Sequence, residues 1–172
     1  MGKDIKKFIK TSLHKYLNEQ DEHIVSKEEF EDALLNLATL DLEDSQVRYP
    51  KTQGRELSYL FGGNEYDLYL LDKPTLPSSG PFEILIEDKD DVIGFIRGTK
   101  ASGVISFNLI HIMPEYRGNG IGTDIYEKFL NQGYTIISDN EITDETYSMY
   151  SRLQLYGYKP LIFSDGRVGL VK

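Results

Sequence analysis

The residues most able to do chemistry are Pro114 to Gly122, PEYRGNGIG, in which Gly118, Gly120 and Gly122 alternate at the junction of a predicted strand and a predicted helix. Glycines there let backbone amides approach an anion closely, and the free amides and dipole of a helix start attract its negative charge. The pattern points to a cradle for phosphate or pyrophosphate; its bland counterpart is a turn that merely packs helix on sheet. A nucleoside triphosphate loop is excluded, because Lys and Ser or Thr should follow the last glycine and Thr123-Asp124 follow it here. A dinucleotide site is disfavoured: Gly118 and Gly120 would require a third glycine at position 123, which is Thr123, although Asp139 falls at a suitable distance.

The elements that must hold this loop can be read from periodicity. Before it, Leu57 to Phe61 reads as a short element and Tyr66 to Leu71 as a strand; after an exposed loop around Pro74 to Pro81, Phe82, Ile84 and Ile86 alternating with Glu83 and Glu87, then Val92 to Gly98 and Val104 to Met113, predict three strands joined by tight turns, an antiparallel meander. Alternating Glu83 and Glu87 read as a solvent face. After the loop, Ile121, Ile125, Phe129 and Leu130 predict a helix that stops at Gly133, followed by a short strand over Tyr134 to Ser138. A second helix carrying Ile142, Met149, Leu153 and Tyr156 should stop at Gly157, before a final hairpin around Ser164 to Arg167. At the N-terminus, residues 4–18 place Ile5, Phe8, Ile9, Leu13 and Leu17 on one helical face, and Ser26 with Glu29 forms the start signature of another helix. The chain therefore divides into a helical hairpin over 1–46 and an α/β unit over 47–172. Residues 47–81, rich in Gly, Pro and Ser, carry little pattern.

Composition narrows the chemistry further. The 172 residues include 19 Lys and Arg against 28 Asp and Glu, a net charge of −9, which disfavours nucleic acid and anionic membranes as partners and favours cationic ones. No run approaches a membrane span, so a cytoplasmic protein is expected. The absence of cysteine removes a thiol nucleophile, thiolate metal ligands and disulfides. A calcium loop ending at Glu29 fails because His23 stands where the sharp turn needs glycine.

Arg117-Gly118-Asn119-Gly120-Ile121-Gly122, led in by Ile112-Met113-Pro114-Glu115-Tyr116, resembles the acetyl-coenzyme A signature of the GNAT superfamily of N-acetyltransferases, Arg/Gln-x-x-Gly-x-Gly/Ala. The order of elements over roughly residues 82–172 is similar too, and Ile136 to Asn140 resembles a variant among acetyltransferase-like proteins of bacteriophages. The resemblance implies an α/β fold with a central mixed, mostly antiparallel sheet flanked by helices. It implies acetyl-CoA as cosubstrate: the amides of Arg117, Gly118, Asn119, Gly120, Ile121, Gly122 and Thr123 on the pyrophosphate, the backbone of Ile112 and Met113 on the pantetheine arm and thioester, and Asn140 near the cofactor. Helix capping is the competing role for Asn140.

Acyl transfer to an amine needs a base, amide donors on the thioester carbonyl, and an acid for the leaving thiolate. The acid of the family is a tyrosine four residues before the glycine that ends the second helix. That position is Leu153 here, leaving Tyr150 and Tyr156 as substitutes, against the tendency of helical aromatics to pack in cores. His111, near the end of the long strand, is the candidate base, its ordinary pKa suiting proton exchange near neutrality. The competing reading is a hydrogen-bonded strand histidine. Direct attack in a ternary complex is expected, on an unidentified small-molecule or protein amine, with no metal. The alternative is an inactive cofactor-binding or interaction module. The family's usual helices between its first two strands have no counterpart in 47–81, so the N-terminal helices are expected to wall the acceptor site, to dimerise the protein or to bind a partner.

Overall fold

A computed structural model of the chain describes residues 23–172 apart from 40 and 42; the helix expected over 4–18 lies outside the described residues. Eleven strands are described: β1 (His23–Ile24), β2 (Ala38–Thr39), β3 (Leu57–Gly62), β4 (Asp67–Leu71), β5 (Ser79–Asp88), β6 (Asp91–Ala101), β7 (Val104–Ile112), β8 (Thr135–Ile137), β9 (Glu141–Ile142), β10 (Lys159–Ile162) and β11 (Val168–Val171). The helices are α1 (Lys27–Leu35), α2 (Ile121–Asn131) and α3 (Asp144–Leu155). Nine strands form one sheet in the order β1-β10-β11-β8-β7-β6-β5-β4-β3, and β2 pairs with β9 in a small parallel ladder. The large sheet is antiparallel except where β7 runs parallel to β8. The expected mixed, mostly antiparallel sheet is therefore present.

The meander β3 to β7 is built from local signals. Lys89 and Asp90 in one hairpin, and Ser102 and Gly103 in the next, all have positive φ, the two-residue geometry whose twist matches that of the strands it joins. The β7 strand contains one irregularity: Gly98 faces Phe107 while Arg97 faces Leu109, leaving Asn108 as an extra residue. Such a bulge reverses which face the following side chains occupy. Ile105 and Phe107 before it, and Ile110 and Ile112 after it, pack on the helix side. Leu109 and His111 are sent to the other face, where His111 lies on Phe95.

All three helices cover the same side of the sheet. Phe30 and Leu34 of α1, Ile125 and Phe129 of α2, and Leu153 of α3 share one core with Leu68, Ile84, Ile96, Ile105 and Leu170 of the strands. Helix α1 thus shares its core with the strands of 47–172, and β1 adds to the edge of their sheet. The predicted second helix of the N-terminal pair starts as read, with the Ser26 hydroxyl accepting from the Glu29 amide and the Glu29 carboxylate accepting from the Ser26 amide. The second amphipathic helix after the glycine loop is shorter than its apolar spacing suggests. Thr143 caps it, so Ile142 belongs to β9, and Tyr156 is its C-terminal boundary residue.

The opposite face carries a smaller cluster of Leu71, Leu85 and Phe95, covered partly by Val47. Residues 44–55 cross this face as a strap. The Arg48 carbonyl accepts from Arg97 Nη2 at 2.8 Å, and Arg55 pairs with Asp72 and Glu83 at 2.6 and 2.8 Å. Glu83, read from sequence as solvent-facing, lies beneath the strap between Arg55 and Arg97. Burial alone would raise its pKa; the hydrogen bonds from the two guanidiniums outweigh that and hold it below the usual carboxylate value.

Candidate functional site

The parallel pairing of β7 with β8 ends at Ser106 opposite Ile137. Beyond it β7 continues to Ile112 while its neighbour turns away, so residues 108–112 have a strand edge with no ladder partner on that side among the described residues. Into this divergence opens a cavity of about 530 Å³. One wall is the exposed end of β7, a second is the glycine loop and first turns of α2, a third is Ser138, Asp139 and the start of α3, and Asp44 and Val47 of the strap close the far end.

The loop reaches the cavity with its backbone. Gly118 and Gly120 have φ of 81° and 79°, the left-handed region in which residues with a Cβ are strained, and a Cβ at either would meet nothing within 4 Å. Backbone conformation rather than crowding therefore requires glycine, and the space before the loop is open. Gly120 is the N-cap of α2 and supplies no side chain to its first amides. Those donors need a partner, and an anion of pyrophosphate type suits both their number and the dipole behind them. Tyr66 Oη, donating to Asp124 Oδ2 at 2.6 Å, anchors the first turn of this helix to the residue before β4.

Of the thirteen residues singled out from sequence, eight line this cavity: His111, Ile112, Arg117, Gly118, Gly120, Ile121, Gly122 and Thr123. The other five do not. The Met113 amide is taken by the Ile93 carbonyl at 2.8 Å, which ties this residue to β6. Asn119 turns its side chain back to the Tyr116 carbonyl, and Asn140 lies outside the lining. Asn140 does not cap α3 either, since Thr143 does. Tyr156 is 56% exposed and away from the cavity. Tyr150 is fully buried against Phe30 and Tyr126, and its hydroxyl makes no hydrogen bond. Burial pushes that phenol well above its ordinary pKa, and the residue lies outside the cavity lining.

Arg117 is engaged by its own chain. Its Nε donates to the Ile112 carbonyl at 2.7 Å and its two terminal nitrogens clasp the Asp44 carboxylate. This fork holds Asp44 below the usual carboxylate pKa and Arg117 above its own. His111 is 6% exposed, stacked against Phe95 and edge-on to Tyr49, with Asp44 Oδ1 at 3.8 Å from its Nδ1. Burial, and secondarily Arg117, lower its pKa from 6.5, with Asp44 opposing, so the imidazole is neutral at pH 7.

Among the cavity residues not singled out from sequence, three carry groups able to do chemistry at the ends and wall described above: Asp44, Tyr126 and Arg152. Asp44 sits in a short turn without periodicity and gives no signal. Tyr126, 3% exposed, lines the cavity and also belongs to the core. Arg152 lines the side of α3 that looks into the cavity. No group of histidines and carboxylates among the described residues is arranged to hold a metal, and no helix among them is long and apolar enough to cross a membrane.

No curated protein matches the chain. The acetyltransferase (GNAT) family does match, over residues 39–136, more than half of the sequence, from β2 through the meander and glycine loop to β8. This stretch holds the unpaired end of β7 and the uncapped start of α2, and with it the chain belongs to the acetyltransferase (GNAT) family.

Proposed function

We propose that the protein is an acetyl-CoA-dependent N-acetyltransferase in which an amine is acetylated by direct attack in a ternary complex. The observation that carries this reading is the cavity joining the free edge of β7 to the uncapped N-terminus of α2: two sets of unsatisfied backbone groups, spaced along one channel, suit one elongated anionic ligand. Bound there, acetyl-CoA supplies an acetyl group already activated as a thioester. The amides from Gly118 to Thr123 hold its pyrophosphate, and the edge of β7 up to Ile112 orients its arm. Neutral His111 takes the proton from the acceptor ammonium. Tyr126, which lines the cavity although burial raises its phenol's pKa as it does that of Tyr150, takes the place of Tyr150 and Tyr156 as proton donor to the departing thiolate. The lack of any cysteine accords with transfer without an acyl-enzyme.

The acceptor is an amine carrying positive charge. Asp139, Glu141, Asp144 and Glu145 border the cavity beside Asp44, against Arg117 and Arg152, and the whole chain is acidic. Calorimetric titration with acetyl-CoA, with NAD alongside, is the first test: micromolar binding of acetyl-CoA alone, about −8 kcal/mol, is expected. Thiol release with a panel of polyamines, aminoglycosides and lysine peptides then tests transfer. Absence of binding overturns the reading. Binding without release for any amine favours an inactive cofactor-binding module, for which Leu153 at the family's tyrosine position is the specific observation.

A further inference from the structure

The strap end of the cavity has a composition unlike the rest. His111 reaches it through the bulge at Asn108, which turns the imidazole away from the helices and toward residues 44–49. There it makes no hydrogen bond with the described chain, although it is more than nine-tenths buried and lines the cavity. The charged groups that bear on it are Asp44 from the strap and Arg117 from the glycine loop. Phe95 and Tyr49 contribute ring faces. The Tyr49 hydroxyl, pushed up in pKa by burial and then by Glu115, stays protonated at neutral pH.

We propose that Asp44 is a positioning residue for acyl transfer: held by the Arg117 fork, its carboxylate faces His111 Nδ1, keeps the proton on that nitrogen, and leaves Nε2 as the basic atom for the acceptor amine at the strap end of the cavity. The inference rests on the transfer reading above. Its physical basis is the shared carboxylate. Asp44 Oδ1 is both the atom bound by Arg117 Nη2 and the atom nearest His111 Nδ1, so one group sets the loop arginine and the imidazole together. A carboxylate beside Nδ1 favours the tautomer with its N–H there, because the alternative presents a lone pair to a negative charge. The strap thereby fills the part of the fold for which 47–81 offered no helix. It also makes the base depend on a residue outside the glycine motif.

The test uses the full chain and two variants whose effects should have opposite sign. Nitrogen-15 spectra of the imidazoles, with the His111 signal identified by its loss in His111→Gln, should show the Nδ1–H tautomer in the natural protein. In Asp44→Asn the His111 pKa should fall and the Nε2–H form should appear; in Arg117→Gln the pKa should rise. Kinetically, the acidic limb of kcat/KM should move to lower pH in Asp44→Asn and to higher pH in Arg117→Gln. In Asp44→Asn kcat should fall about tenfold or more, as expected for a misoriented group, with acetyl-CoA affinity changed less than about twofold. A natural protein in the Nε2–H form, or limbs that stay fixed or move together in both variants, overturns the proposal. The expected imidazole spectra with no thiol release for any amine would overturn the transfer reading and the catalytic consequence drawn here, while the Asp44–His111 orientation would stand.

Discussion

Helices α2 and α3 begin in opposite ways, although both start beside the same cavity. Thr143 caps α3 by accepting from the Thr146 amide, and Asp144 and Glu145 follow in its first turn, as the helix dipole favours. Gly120 opens α2 in a left-handed conformation with no capping side chain. A cap contributes about 1 kcal/mol. Helix α2 forgoes it and carries Gly122 in its first turn, so no N-cap side chain meets its first amides, whereas at α3 the Thr143 hydroxyl accepts from the Thr146 amide. On the function proposed above, the difference separates a binding end from a structural one.

The largest effect should come from breaking the open end. Gly120→Val puts a β-branched side chain at a φ of 79° and into the space before the amides, and calorimetry should show acetyl-CoA affinity lowered at least about a hundredfold, since charge-assisted hydrogen bonds contribute ~1.5–3 kcal/mol each. Retained affinity would transfer the anion site elsewhere. The contrast extends along the helices, because the Tyr126 phenol of α2 lies on the cavity wall while the Tyr150 phenol of α3 is sealed. Tyr126→Phe should therefore lower kcat by about 100-fold with little change in acetyl-CoA affinity, the usual scale for losing a general acid. An unchanged kcat would hand protonation of the thiolate to water.

Breaking the closed end should have a smaller and different effect. Thr143→Ala is expected to cost about 1 kcal/mol in chemical denaturation and to leave cofactor affinity intact. Loss of affinity without loss of stability would make α3 a binding end as well. Tyr150→Phe, which removes a buried hydroxyl that has no hydrogen bond, should leave the rate unchanged and shift stability by less than about 1 kcal/mol. The smallest expected effect is in pH. The folded-state pKa of His111 lies below 6.5, so as the pH falls the unfolded chain binds this proton first. Its contribution to stability is complete above 6.5 and is lost as the pH falls toward the folded value; His111→Gln should flatten that part of the pH-stability curve.

Sequence legibility followed how locally each feature is determined. The meander, the glycine loop and the helix after it could be read because alternation, turn residues and helical spacing each act within a few positions, and Ser26 with Glu29 announced α1 in the same way. The bounds of the second amphipathic helix misled because Ile142 and Tyr156 fall at helical spacing, while the helix starts after the Thr143 cap and Tyr156 is itself the boundary residue at its end. The strap was invisible. Its contacts join residues far apart in sequence: Asp44 to Arg117, the Arg48 carbonyl to Arg97, and Arg55 to Glu83. Nothing in residues 44–55 repeats at a structural period. The bulge was equally hidden, since Phe107-Asn108-Leu109 reads as plain alternation, yet it decides which face His111 occupies. Tyr150 was chosen for its chemistry, and its burial against Phe30 depends on a helix more than a hundred residues earlier.

The one parallel pairing within the nine-stranded sheet has a consequence for how the molecule assembles. Strands β3 to β7 join through hairpins whose partners are close in sequence, whereas β8 can reach β7 only after the intervening 3₁₀ turn, glycine loop and α2 have been threaded between them. Contacts that close long loops form late, because the chain entropy is lost before the contact is gained. Just three residue pairs bind β7 to β8, which makes this seam the natural place for the native sheet to part during local opening. The cavity is the unpaired continuation of that seam. The amides of Thr135, which donates to the Gly103 carbonyl, and of Ile137, two residues on along the same edge, should accordingly exchange with solvent sooner than those of Ile84 or Ile96, and a ligand spanning the seam should slow them most.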